Sequence, residues 1–353
     1  MIEATKYIGC LLGGAVGDAL GYPVEFMTYQ EIVHSFGSKG ITDLLLSESG
    51  KSLISDDTQM TLFTTEGLLW AKRVQNKHGY CNIAARCFYS YQRWLHTQGY
   101  ALADSSYQWI LDDKRLDLHS PLLSIRELYA RRAPGNTCLQ ALSEAKEQNY
   151  GTIEESINDS KGCGGVMRVA PVGLIFYYDP SKAFDVGCQV AAITHSHPTG
   201  YISAGAYAAM IAYITRGFTV EQAVCSVLKL LEEVSGGEET YKLLHKAVEY
   251  YRLGNPSLEK LSTLGQGFLA EEALAIAVYA ALCYSENLKK AVIFAVNHDG
   301  DSDSTGSICG SLLGTYLGKS AVPTNWLIKL ECEELIEEMA LWLHQTYILE
   351  KVI

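Results

Sequence analysis

The chain has 353 residues, 48% of them apolar and 19% charged, with a formal net charge of −12. That is a globular composition with ample material for a core, enough for one large domain or two average ones. Acids and bases are interspersed, and the lack of a basic patch with interleaved aromatics argues against binding through a nucleic-acid backbone.

The first segment, MIEATKYIGCLLGGAVGDAL, has the short apolar run of a signal peptide. Glu3 spoils the basic n-region, however, and Asp18 falls where a cleavage motif would sit. The segment reads instead as a helix over residues 3–20, with Gly13, Gly17 and Gly21 on one face. The same four-residue spacing returns in DGDSDSTGSICGSLLGTYLG, at Gly306, Gly310, Gly314 and Gly318. Glycine inside a helix costs about 1 kcal/mol relative to alanine, so two such runs need a reason. Close approach of helix backbones is one. Both segments are too short and too closely flanked by acids to span a bilayer, and no apolar run reaches the ~18 residues of a membrane span. Two central, tightly packed helices are expected, with each other as candidate partners. The ten cysteines form no CxxC pair, so buried free thiols in a reducing cytoplasm are expected.

Apolar positions at i, i+3/i+4 spacing predict further helices over 57–74, 81–98, 137–148, 182–194, 200–216, 219–234, 238–252, 270–285, 287–297, 304–318 and 330–347. Strand-like alternation is scarce, no linker divides the chain, and no period of 20–50 residues repeats. A single all-α domain covering residues 1–353 follows.

Five motifs interrupt the helical pattern. In ISDDTQMTLF, Ser55 has the place of an N-cap and Asp56 and Asp57 open an amphipathic helix. Capping and dipole stabilisation explain one acid; two acids with flanking hydroxyls also make a set of hard oxygen donors. RAPGNTCLQAL reads as a Pro-Gly turn before an Asn- or Thr-capped helix. In SKGCGGVMRVAPVGL, the glycines around Cys163 allow close backbone approach to a ligand, with amides free for phosphate oxygens, or form an ordinary tight turn. THSHPTGY carries His195 and His197 without the further ligands zinc needs; it fits a loop between helices with Pro198 at N1, where a histidine can still bond a substrate. DSDST places Asp301 and Asp303 before the second glycine-rich helix. An EF-hand counted from Asp301 would need glutamate at position twelve, where Leu312 stands. Taken together, the two acidic clusters offer five or six oxygens from two helix starts. These suit two Mg²⁺ or Mn²⁺ ions, able to fix substrate hydroxyls and lower the pKa of a water.

GGAVGDALGYPVEF, SDDTQM, RAPGNTCLQAL, GCGGVMRVAPVG, THSHPTGY and DGDSDSTG, in this order, resemble the ADP-ribosylglycohydrolase family over roughly residues 5–320. RAPG, THSHPTGY and DSDST are most similar to ADP-ribosylarginine hydrolases, and GDALGYPVEFMT to bacterial dinitrogenase-reductase-activating glycohydrolases. The resemblance implies a compact orthogonal bundle with a central cleft holding two Mg²⁺ (or Mn²⁺) ions. Carried across, Ser55, Asp56, Asp57, Asp301, Asp303 and Ser304 are the metal ligands. Glu25 holds the glutamate position near the metals and, with Asp56, Asp57 and Asp303, belongs to the catalytic set. Gly135, Ser160, Lys161, Gly162, Cys163, Gly164 and His195 fall at ADP-ribose. In serine-directed relatives Tyr and Asn stand at Lys161 and Cys163, so only backbone contacts transfer there.

The implied activity is metal-dependent hydrolysis of the N-glycosidic bond between ADP-ribose and arginine of modified proteins, in the cytoplasm. An antidote role against an ADP-ribosylating toxin is compatible with it, and neither nucleic acid nor membrane is an expected partner. The rivals are a hydrolase of serine-linked or free ADP-ribose derivatives and a non-enzymatic binding or immunity protein. Ser304, where serine-directed relatives usually carry Thr, leans towards arginine, and the intact acids argue against a lost activity.

Overall fold

The computed structural model describes residues 2–116 and 120–349. In chain order the α-helices are α1 (Ala4–Gly21), α2 (Tyr29–Phe36), α3 (Asp56–His78), α4 (Ile83–Thr97), α5 (Asp113–Leu116), α6 (Asn136–Glu144), α7 (Ala170–Ile175), α8 (Pro180–Ala192), α9 (Pro198–Thr215), α10 (Val220–Leu231), α11 (Glu238–Arg252), α12 (Leu258–Ser262), α13 (Ala270–Cys283), α14 (Leu288–Val296), α15 (Ser302–Leu317), α16 (Thr324–Lys329) and α17 (Glu333–His344). β pairing among the described residues is limited to two isolated bridges, Ser52 with Leu330 and Gly162 with Leu269. The fold is all-α, as the periodicity predicts. No described helix is long and apolar enough to cross a membrane.

The two glycine runs pack against each other. α1 and α15 run antiparallel, with Gly9 against Gly314, Gly13 against Gly310 and Gly17 against Gly306. A Cβ at Gly306 would lie 2.5 Å from the Gly17 carbonyl oxygen and 2.7 Å from a Val296 methyl, so any side chain would force the helices apart. Around this pair α13 and α14 lie on α15, α17 lies on α1, and α3 pairs with α4 and α8 with α9. The main apolar core is continuous through these helices, and a satellite of Ala247, Leu261, Leu264, Ala275, Ile276 and Tyr279 sits between α11, α12 and α13. Among the described residues a wholly buried ion pair joins Arg93 on α4 to Glu66 on α3 at 3.0 Å. Ser90 and Ser120 donate to the same carboxylate, at 2.5 Å each.

Local differences from the sequence expectation have local causes. α6 stops at Glu144 rather than 148, because Glu147 and Gln148 take left-handed φ of 52° and 62°. Its N-cap is Gly135 and no side chain caps it; the Thr137 hydroxyl turns to Ser160 Oγ, 3.2 Å away. All ten cysteines are free, but Cys81, Cys163, Cys225, Cys283 and Cys332 are only partly buried.

Candidate active site

Three segments bring acids to one place, and α1 organises them. Asp18, wholly buried one turn before the end of α1, accepts the backbone N–H groups of Ser55 at 3.0 Å and Thr58 at 3.1 Å. It also accepts the Thr58 hydroxyl. The start of α3 is thereby tied to α1. Ser55 caps α3 by accepting the Asp57 N–H at 3.2 Å, which leaves Asp56 and Asp57 in the first turn. At the other side Gly21 abuts the backbone of Ser302 and Asp303, so the start of α15 is pressed against the end of α1. Asp301 caps α15 through the Ser304 N–H at 3.2 Å, and Asp303 accepts the same N–H at 3.0 Å. The two helix starts touch: Ser304 Oγ donates to Asp57 Oδ1 at 3.3 Å. Beyond α1 the turn Tyr22–Val24 delivers Glu25 to the same cluster.

The electrostatics follow from this crowding. Burial, and then the neighbouring carboxylates, hold Asp56, Asp57 and Asp303 well above the usual carboxylate range. For Asp56 the Gly135 N–H, donating to Oδ2 at 3.3 Å, pulls the other way. Glu25 is pushed up to about 9, by burial first and then by Asp301 and Asp56. The charges acting on Asp57 and Asp303 are those of other carboxylates. Asp57 Oδ2 and Glu25 Oε2 are buried without a hydrogen-bond partner. A set of hard oxygen donors with negative charge and free lone pairs fits a divalent cation such as Mg²⁺ or Mn²⁺. Among the described residues no three His, Cys, Asp or Glu side chains are grouped tightly enough to form a ready cation cage.

The glycine loop lies against the cluster. Cys163 donates its backbone N–H to the Phe268 carbonyl at 3.0 Å, and Ala270 donates to the Lys161 carbonyl at 2.9 Å, fastening the loop to the start of α13. The Cys163 thiol donates to Asp301 Oδ2 at 2.8 Å. Beneath the loop lies His195: a Cβ at Gly164 would come within 2.9 Å of its ring. Arg168 donates to Thr194 Oγ1 at 2.7 Å, and the Thr194 hydroxyl shares a hydrogen bond of 2.9 Å with His195 Nδ1. Burial, then the Arg168 charge, pushes His195 down to about 3, so the imidazole is neutral. Arg168 is itself wholly buried, 4.2 Å over the Tyr91 ring, and its hydrogen bonds go to Thr194, the Val190 carbonyl and two sulfurs.

A family model for ADP-ribosylglycohydrolase matches residues 2–351. The chain belongs to the ADP-ribosylglycohydrolase family. It is 26% identical to the ADP-ribosyl-[dinitrogen reductase] glycohydrolase of Rhodospirillum rubrum, over 92% of this chain and 90% of that one. It is 23% identical to the ADP-ribosylhydrolase ARH3 of Gallus gallus, over 97% and 94%. An uncharacterized protein of Archaeoglobus fulgidus is 27% identical over 97% of both chains. A solved structure titled ADP-ribosylglycohydrolase-related protein complex shares the fold, with a TM-score of 0.64 and 21% identity over 98% of this chain and 99% of that one. Family membership makes the chain a glycosylhydrolase of ADP-ribose linkages.

Against this family frame, the expected residues fall into two groups. Ser55, Asp56, Asp57, Asp301, Asp303 and Ser304 come together in one buried cluster, with the half-buried Glu25 beside it. Gly135 and Cys163 border the cluster, through the backbone N–H to Asp56 and the thiol to Asp301, while Gly162 and Gly164 lie against the His195 ring. Ser160 Oγ accepts the Gly162 N–H at 3.4 Å, which shapes the loop. The Lys161 ammonium is engaged outside that cluster, with Glu239 at 2.7 Å and Glu271 at 3.1 Å. His195 and His197 do not converge, since His197 caps α9 by accepting the Thr199 N–H. Two residues escape sequence reasoning. Asp18 was visible as the acid in GGAVGDAL, but only its bonds across 37 and 40 residues of chain reveal the role. Arg168, in GGVMR, gives no periodic or spacing signal at all.

Proposed function

We propose that the chain is an ADP-ribosylarginine hydrolase, dependent on two Mg²⁺ or Mn²⁺ ions, which removes ADP-ribose from arginine side chains of modified proteins. The observation that carries the reading is the contact of the two acidic helix starts, Ser304 on Asp57, with Glu25 alongside and the glycine loop against Asp301. Ser55, Asp56, Asp57, Asp301, Asp303 and Ser304 would hold the ions. When bound, the ions supply positive charge that orients ribose hydroxyls and acidifies water.

The chain's own residues do the rest. The 160–165 loop and the turn at Gly135 would flank the diphosphate and ribose, with His195 supporting the loop from beneath as a neutral ring. Hydrolysis forms a C–O bond from water to ribose C1″ and breaks the C1″–N bond to the guanidine. The proton that water releases is the one the departing guanidine needs to become guanidinium again. A carboxylate beside C1″ that takes the first proton and returns it therefore closes the cycle. Glu25, with one oxygen unpartnered, is assigned that role; pushed up to about 9 in the metal-free chain, it would act as a carboxylate only with the positive charge of the cations beside it, and Asp56, Asp57 and Asp303 shape the field around it. The substrates are arginine-modified proteins and the product is ADP-ribose; such an enzyme also serves as antidote to an ADP-ribosylating toxin. Incubation with arginine- and with serine-ADP-ribosylated protein, with and without Mg²⁺, tests the reading. Metal-dependent release from serine alone would replace it with the serine-directed alternative.

A further inference from the structure

Phe26 and Phe268 are exposed to 67% and 37%, and their rings stack face to face, 5.9 Å apart and 12° from parallel. Neither ring closes the core, and Phe26 holds a left-handed φ of 67°, a strained conformation for a residue with a side chain. The strain is sustained by the site's own backbone. Phe26 donates its N–H to the Gly300 carbonyl at 3.2 Å, Gly300 donates back to Met27 at 3.3 Å, and Asp301 donates to the Gln266 carbonyl at 2.8 Å. Phe268 accepts from Cys163. The aromatic pair is thus mounted on the segments that carry Glu25, Asp301 and the glycine loop. From Phe26 a groove of about 670 Å³ runs along α2, lined by Glu25, Phe26, Thr28, Gln30, Glu31 and His34. Glu31 is held in place by the N–H and hydroxyl of Thr28, both at 2.8 Å.

We infer that this groove is the subsite for the leaving group, and that the Phe26–Phe268 stack receives the arginine guanidinium of the modified protein while Glu31 and Glu25 attract its charge. The inference rests on the proposed arginine-directed activity and adds where linkage specificity resides. A planar cation gains about 0.5–2 kcal/mol over an aromatic face, which a neutral serine linkage does not. The exposed strained ring, the flanking carboxylates and the adjacency to Glu25 all match a cationic, planar leaving group on a protein surface.

The test is steady-state hydrolysis of ADP-ribosyl-agmatine and of an ADP-ribosylserine peptide, with inhibition by free ADP-ribose as a third readout. The full chain is compared with Phe26→Leu, Phe268→Leu and the ring-preserving Phe268→Tyr in Mg²⁺. The leucine variants should raise KM for the agmatine substrate by about 2- to 30-fold. Their ADP-ribose inhibition constants should stay within twofold of the parent, and Phe268→Tyr should keep the parent KM. Unchanged KM in both leucine variants, or an equal loss on agmatine, serine and ADP-ribose readouts, overturns the subsite. A parent chain that cleaves neither substrate, or only the serine one, instead overturns the arginine-directed reading and removes the subsite with it. The two failures are distinguished by the parent alone.

Discussion

Asp18 and Thr58 are joined twice, backbone N–H to carboxylate at 3.1 Å and hydroxyl to carboxylate, across 40 residues of chain. With the bonds from Ser55, this makes Asp18 the anchor that fixes where Asp56 and Asp57 point, and a positioning residue by that route. Asp18→Asn turns one acceptor into a donor that faces N–H groups. The expected result is a 10- to 100-fold weaker Mg²⁺ dependence, in line with losses seen when the support of a metal ligand is removed. Stability should fall by about 1–3 kcal/mol. Mg²⁺ titration of activity, together with thermal melting in chelator, separates the two effects.

The crowding of unpaired carboxylates makes a second expectation. Asp303→Asn should abolish hydrolysis, while in chelator the variant should melt at or above the parent, because one buried like charge has been removed. Mg²⁺ should raise the parent's melting temperature and leave the variant's nearly unchanged. A parent whose melting ignores Mg²⁺ and Mn²⁺ would contradict the assignment of these residues as cation ligands.

The pH dependence of the metal-free chain has a definite sign. Glu25 titrates near 9 in the fold against about 4.5 unfolded, so the native state binds more protons through that interval. Stability supplied by the protonated carboxyl is therefore full below about pH 4.5 and is lost as pH rises toward 9. His195 acts in the acid range with the opposite slope. Its folded value near 3 means that stability falls as pH drops from about 6.5 towards 3, where the unfolded chain takes up the proton. Denaturant melts between pH 5 and 9 in chelator should show the alkaline decline in the parent and a flatter profile in Glu25→Gln.

The glycine ladder sets a packing prediction. Gly310→Ala places a methyl against the carbonyl of Gly13, and overpacking of this kind costs about 1–3 kcal/mol. Gly310→Leu should fail to fold. Because α15 carries Asp301 and Asp303 at its start, Gly310→Ala should also weaken the Mg²⁺ response, measured by the metal-dependent shift in melting temperature. A shift equal to the parent's would show that the helix yields elsewhere.

Legibility in the sequence followed the physics of each element. Long helices with one apolar face were readable from period alone, and the glycine spacing announced close backbone approach on both helices, with the α1–α15 pair as a candidate that the structure bears out. α7 was not readable: its six residues are all buried, so no polar face marks a period. α2 buries only Ile32 fully, and its one local signal was the Thr28–Glu31 capping box. The acidic clusters were visible because both sit at helix starts, where side chains and backbone donors combine. The anchoring by Asp18, the relay from Arg168 to His195 and the Phe26–Phe268 stack join residues far apart in the chain, and nothing local encodes such meetings.

The central claim is that these carboxylates and this loop cut arginine-linked ADP-ribose with the help of divalent cations. The most direct measurement is release of ADP-ribose from an arginine-ADP-ribosylated protein, followed in Mg²⁺, in Mn²⁺ and in excess chelator, with a serine-ADP-ribosylated protein in parallel. Release from arginine that needs the cation and exceeds release from serine is the predicted result. Equal release in chelator, or release from serine alone, would contradict it.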